Sequence, residues 1–223
     1  SSTTSYGARA AKKAMDAAGV GPDDIELVVF ATVSPDYRLP FCAALLQREL
    51  GLTRAGGFDL TSGCAGFVQA AQVASEFIQG GSIETALVIG ADLMSTLYNP
   101  DDRRTCVLFG DAAGAVVLRR SKDDEDSALL ARTWGMKGDD ESLIIKAGGG
   151  LHPITADNVD NPDRYVKMDG RAVYRFAVSR FAGQIEDACK IAGVTPDELK
   201  LVFPHQVNMR ILETASRKVG LPL

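Results

Sequence analysis

An eleven-residue phrase is written twice in this chain, and the repetition limits the fold more than any other feature. Ala18-Gly19-Val20-Gly21-Pro22-Asp23-Asp24-Ile25-Glu26-Leu27-Val28 recurs as Ala192-Gly193-Val194-Thr195-Pro196-Asp197-Glu198-Leu199-Lys200-Leu201-Val202, an offset of 174 residues (193 minus 19). Each copy spells the same local chemistry. An amphipathic helix ends at a glycine able to take the left-handed cap conformation. A Pro-Asp turn follows, then an apolar strand. The next helix recurs as well: Phe41–Leu50 runs into Gly51-Leu52, and Asn208–Val219 into Gly220-Leu221. The expectation is a duplicated α/β fold. Copy one continues through a strand at Gly57–Leu60 to Cys64 and another helix, whereas copy two reaches Leu223 before any equivalent strand. A sheet built on half a repeat has open edges, so the sequence is expected to be part of a longer chain, the bland alternative being a natural variant domain.

Periodicity places helices near 4–18, 41–50, 64–79, 169–191 and 208–218. Strands are expected at 25–33, 57–60, 85–90, near 105–109, at 113–119 and at 199–203. Three parts follow: a first half over 1–121, a connector and insertion over 122–168, and a second half over 169–223. The acidic run Lys122–Asp126 reads as a solvated boundary, and 129–163 as a Gly-rich mixture of strand and loop. With 223 residues, 46% of them hydrophobic, the chain can bury a large core. Aromatics make up only 7% while Ala, Gly and Val are plentiful, which suits closely packed helices and strands. A net charge of −5 gives no electrostatic reason to bind nucleic acid or an anionic membrane. The apolar runs Leu27–Val33 and Ala112–Leu118 are strand length, well short of the roughly 20 residues of a membrane span. The chain opens on a polar stretch with no export signal. Cys42, Cys64, Cys106 and Cys189 are dispersed without metal-type pairing. They read as reduced thiols in a cytoplasmic protein.

Chemistry concentrates at Asp59-Leu60-Thr61-Ser62-Gly63-Cys64-Ala65-Gly66-Phe67. An apolar strand gives way to small residues and then to a helical pattern, which puts Cys64 where a helix begins. Unpaired N–H groups and the positive end of the dipole favour a thiolate there. Small neighbours leave room for a substrate carbonyl, as at a nucleophile elbow with Cys in place of Ser. The bland alternative is a Cys packed among alanines. The chain has two histidines. His205 follows a hydrophobic strand and matches Ala31 in the first copy, so it is the better partner for the thiol; His152, after Gly148-Gly149-Gly150, reads as a surface loop residue. The turn at Phe109-Gly110-Asp111 reads as structural, with Asp111 bonding local amides.

Four phrases then occur in order: GCAGF at 63–67, FGDAAGA at 109–115, VKMDGRAVYRFAV at 166–178 and PHQVNMRI at 204–211. Together they resemble the ketoacyl-acyl carrier protein synthase III family of condensing enzymes. The resemblance spans essentially the whole chain. It implies a thiolase-like duplicated α-β-α layered fold, incomplete in this chain, with segments lacking at both ends. It implies an acyltransferase that initiates fatty acid or polyketide-like synthesis. Cys64 would take the acyl group of an acyl-CoA, and malonyl-acyl carrier protein would then lose CO2 and attack the acyl-cysteine. No cofactor is implied, acyl-CoA being a substrate, and the enzyme would be a homodimer. His205 would hydrogen-bond the thioester oxygen; a family Asn with the same task would lie beyond Leu223. One oxyanion donor would be the N–H of Cys64. Asn208 would support the site, Gly170 would border the substrate, Arg103 would stack on the CoA adenine, and Leu39 would reach a partner subunit's acyl pocket. Arg175, Arg210, Arg217 and Lys218 would dock the acidic carrier protein. Two other readings stand beside this one: a related acyltransferase acting on a non-carrier acceptor, and a catalytically inactive fragment or interaction subunit. A cysteine hydrolase is a third, for which the residues offer no water-activating arrangement.

Overall fold

The computed structural model describes residues 1–122, 128–206 and 208–222. The acidic residues of the connector, Asp123–Asp126, lie outside the described residues. Ser1–Leu97 with Phe109–Asp126 form one compact unit, and Tyr98–Leu108 with Ser127–Leu223 form the other.

The first unit is a three-layer α-β-α arrangement. Its sheet has the order β2-β1-β3-β4, built from β1 (Leu27–Ala31), β2 (Gly56–Leu60), β3 (Thr85–Leu93) and β4 (Asp111–Arg119). β1 pairs in parallel with β2 and β3, and β4 runs antiparallel to β3. Every residue of β1 is buried, as a central strand covered on both faces must be. The pleat sends Val28 and Phe30 to one face, where they meet Ala8, Ala11 and Met15 of α1 (Thr3–Ala18) and Leu46 of α2 (Cys42–Leu50). Leu27, Val29 and Ala31 go to the other face, against Ala70, Ala74 and Ile78 of α3 (Gly66–Gln79). The i, i+4, i+8 spacing of those three residues is the buried stripe of an amphipathic helix.

Helix starts are fixed by side chains far away in sequence. Asp36 accepts the N–H groups of Thr3 (2.7 Å) and Thr4 (3.2 Å) at the start of α1. Asp59, at the end of β2, accepts those of Cys42 (2.7 Å) and Ala43 (2.8 Å) at the start of α2. Both carboxylates answer the unpaired donors and the positive dipole end. Asp111 takes the N–H (2.8 Å) and hydroxyl (2.7 Å) of Ser95, so it bonds an amide across the β3–β4 connection rather than a local one.

In the second unit β5 (Leu143–Ile144) pairs antiparallel with β6 (Lys167–Met168), and α4 (Gly170–Ala192) packs on α5 (Met209–Val219). Two expectations need correction. Residues 199–203 are not a strand, because no ladder partner lies beside them among the described residues. Residues 105–109 are not a strand either: 101–108 is a run of turns, closed by Thr105 N–H on the Asp102 carbonyl at 3.0 Å. No described helix is long and apolar enough to cross a membrane.

Candidate active site

Cys64 sits in a single 3-10 turn, Gly63–Ala65, that leads straight into α3. The turn stands at the C-terminal end of β2. Gly63 has φ +54°, a left-handed value that a side chain would resist. A Cβ on Gly66 would come 3.2 Å from the Cβ of Ala31, so its absence lets the first turn of α3 lie on the end of β1. These two glycines fix where the sulfur can be.

The Cys64 residue is open to water, while enough protein surrounds the sulfur that burial pushes its thiol above the ordinary value. The backbone N–H of Cys64 acts against this, and the negative charge of Asp92 adds to it. The bias toward a thiolate expected at a helix start is thus opposed by desolvation, the largest of the influences on the sulfur. Cys42, also raised by burial, has no surface at all, so Cys64 is the more accessible sulfur of the two. Leu39 stands exposed on the loop between β1 and α2.

The remaining candidates belong to the second unit. His205 follows the unpaired stretch 199–203 and is surface-open, yet burial of its ring lowers its pKa and favours the neutral imidazole. Asn208 is the N-cap of α5, its carbonyl oxygen accepting the N–H of Arg210 at 2.9 Å. It fixes the start of that helix three residues after His205. Gly170 is the first residue of α4, capped by Asp169, whose carboxylate accepts the N–H groups of Arg171 (2.9 Å) and Ala172 (3.1 Å). His152 is exposed on its loop.

A cavity of about 580 Å³ lies wholly within this second unit. Asp102 and Arg104, the neighbours of Arg103, form one side, and Met168 and Asp169, which precede Gly170, form another. Neither Arg103 nor Gly170 itself lines this hollow. Arg104 is held by Asp102 (2.9 Å) and Lys167 is paired with Asp163, whereas Arg103 is exposed and makes no ion pair among the described residues.

On α5 the buried residues Ile211 and Ala215 leave Arg210, Arg217 and Lys218 on the open side. Arg175 does not stand alone. It lines a cleft of about 420 Å³ with Lys137 and Arg180, two cations that sequence reading missed. No sequence signal could have found Lys137, which reaches α4 from a stretch tied down by the bond from Thr133 to Gln184. The other residues missed were Asp36 and Asp59, whose capping partners lie tens of residues or more than a helix turn away.

Known proteins resemble this chain over its whole length. The family model for 3-oxoacyl-[acyl-carrier-protein (ACP)] synthase III matches residues 58–138, the stretch holding Cys64. A beta-ketoacyl-[acyl-carrier-protein] synthase III of Roseiflexus sp. (strain RS-1) is 37% identical over 222 residues, covering 99% of this chain and 67% of that protein. The crystal structure of a 3-oxoacyl-(acyl carrier protein) synthase III from Pseudomonas aeruginosa PAO1 superposes with TM-score 0.89 at 33% identity, over 100% of this chain and 66% of that one. The corresponding enzyme of Aquifex aeolicus VF5 gives TM-score 0.83 at 35% identity, over 100% and 67%. The chain thus spans about two thirds of the length of these relatives.

Proposed function

The chain belongs to the 3-oxoacyl-[acyl-carrier-protein] synthase III family of acyltransferases, and from that premise we propose that Cys64 and His205 carry its two half-reactions. In the first, the Cys64 sulfur attacks the thioester carbon of an acyl-CoA, the C–S bond to CoA breaks, and the thiol proton leaves with CoA. In the second, malonyl-acyl carrier protein loses CO2 and its α-carbon bonds to the acyl carbon. The cysteine sulfur departs, leaving a 3-ketoacyl-acyl carrier protein. Enolate charge develops on the malonyl thioester oxygen after decarboxylation, and a neutral imidazole that donates a hydrogen bond there stabilises it. The lowered pKa of His205 suits that role, because the ring stays uncharged at neutral pH. The N–H of Cys64 would serve as a donor to the oxyanion of the first step. The reaction uses no cofactor.

The observation that carries this reading is the placement of Cys64: an open residue on a glycine-shaped turn that runs into α3 at the C-terminal end of a parallel pair. Sites in α/β sheets are assembled at such ends. Arg103 and Gly170 would border the CoA, as the family resemblance implies. Leu39 would reach the acyl pocket of a second subunit in a cytoplasmic homodimer. Arg175, Arg210, Arg217 and Lys218 would meet the acidic carrier, a contact that weakens with salt.

Intact mass after incubation with a panel of short acyl-CoAs tests the first half. One acyl adduct is expected, lost in Cys64→Ser. Release of CO2 from malonyl-acyl carrier protein tests the second, with a fall of about 10²–10³ expected for His205→Ala. Acylation without CO2 release would favour an acyltransferase that serves a non-carrier acceptor, and absence of any adduct would end the reading.

A further inference from the structure

A set of side-chain hydrogen bonds beneath the Cys64 turn has no task in the two half-reactions. Asp92, near the end of β3, accepts through Oδ1 from the N–H of Val33 (2.8 Å) and the hydroxyls of Thr32 (3.0 Å) and Ser34 (3.3 Å). The Ser34 hydroxyl oxygen accepts the N–H of Leu93 at 2.8 Å, which closes a ring between the ends of β1 and β3. From Thr32 the bonds continue toward the nucleophile. Its N–H donates to the Leu60 carbonyl at 3.1 Å, and its carbonyl accepts the hydroxyl of Thr61 at 3.1 Å. Thr61 lies three residues before Cys64. Thr32 and Ser34 are buried. A continuous path thus joins the last turn of one strand to the stretch that carries the sulfur, across the strand between them.

We propose that Asp92 is a positioning residue for the nucleophile: through Thr32 and Thr61 it fixes the turn that presents the Cys64 sulfur. The inference rests on Cys64 being the nucleophile. The ladder between β1 and β3 ends at Ala31, so these bonds run from the last residues of β3 to the loop residues that follow β1. A neutral acceptor could serve the same donors. A carboxylate brings a charge as well, and that charge falls on the thiol. The other carboxylates at these strand ends are committed elsewhere. Asp36 and Asp59 cap α1 and α2, and their charges fall on Cys42. The charge of Asp92 bears on Cys64 instead, and Asp111, opposite Leu93, is held by Ser95.

Asp92→Asn keeps the acceptor oxygen and removes the charge; Asp92→Ala removes both; Thr61→Val cuts only the last link. Two readouts apply: the pH profile of Cys64 alkylation by iodoacetamide, located by peptide mass, and the single-turnover rate of acylation by acyl-CoA. For Asp92→Asn the alkylation profile is expected to move to lower pH, with acylation retained. For Asp92→Ala and Thr61→Val, acylation is expected to fall by up to about 10²-fold, the cost of displacing a reacting group by about 1 Å. The profile of Thr61→Val should stay in place. Native acylation in Thr61→Val would overturn the proposal, whether or not Asp92→Ala folds. Should the native protein form no acyl adduct, the nucleophile assignment is what fails, while the alkylation profiles still report on Asp92.

Discussion

The two copies of the repeat begin alike and then diverge. α1 ends at Gly19 (φ 66°, ψ 31°) and α4 at Gly193 (φ 72°, ψ 27°), the same left-handed cap. The turns that follow close identically: Gly21 N–H reaches the Asp24 carboxylate at 2.7 Å, and Thr195 N–H reaches that of Glu198 at 2.7 Å. Past that point one copy is a strand and the other is not. Leu27 is 6% exposed and its counterpart Leu201 is 68%; Val29 is 0% exposed and its counterpart Phe203 is 88%. Caps and turns are settled by a few adjacent backbone groups, so equal sequence gives equal structure. A strand is settled by what lies beside it. β1 has β2 and β3 as neighbours, and 199–203 has no ladder partner among the described residues.

This contrast can be broken or sharpened by substitution. The largest effect is expected at Phe30, wholly buried between α1 and the sheet. Phe30→Ala should cost about 3–5 kcal/mol in urea unfolding. Phe203→Ala should change stability by no more than about 0.5 kcal/mol. Equal costs would mean that the second stretch is packed in solution after all. Next comes glycine in the equivalent helices. A Cβ on Gly7 would lie 2.6 Å from the Phe30 ring, while one on Gly183 would meet nothing within 4 Å. Gly7→Ala should destabilise by about 1–3 kcal/mol, and Gly183→Ala should stabilise by up to about 1 kcal/mol. Opposite signs in thermal melts would confirm that α1 is packed where α4 is open. The helix that follows each copy offers a smaller test. Asp59→Ala removes two bonds from the start of α2 and should cost up to about 2 kcal/mol, whereas Asn208→Ala removes one from α5 and should cost about 1 kcal/mol or less.

The smallest effects are titrations, and they run in opposite directions. Cys42 and Cys64 have folded pKa values above their unfolded ones, so the folded state keeps protons longer. Stability from these thiols is full below about pH 8.5 and declines as pH rises past it. His205 is lowered, so the unfolded state binds its proton first. Its contribution is full above about pH 6.5 and declines as pH falls from there toward the folded value. Cys42→Ser should flatten the alkaline limb of an unfolding curve, and His205→Gln the part of the acid limb just below pH 6.5.

Much of the first unit was legible because its signals are local or periodic. The helix at 64–79, for example, follows from the spacing of Ala70, Ala74 and Ile78, and Cys64 stood out because small residues separate a strand from that helix. What stayed hidden depends on distant partners. Nothing near Asp59 in sequence reveals that it caps α2, and nothing near Asp92 reveals that Val33 and Thr32 bond to it. Lys137 lies in an irregular stretch without periodicity, so its approach to Arg175 and Arg180 has no sequence signature. Residues 105–109 were misread because the apolar Val107 and Leu108 suggested a strand, although both are exposed. The burial that pushes the Cys64 thiol up is hidden for a related reason: the helix start is visible in sequence, the protein mass around the sulfur is not.

The carboxylate that closes the first turn of α2 stands on β2 only five residues before Cys64. A screen that scores variants by activity alone would therefore record losses at residue 59 as damage to chemistry, when the injury is to a neighbouring helix. Pairing such a screen with a count of folded molecules separates the two kinds of defect, and position 59 is where the separation matters most.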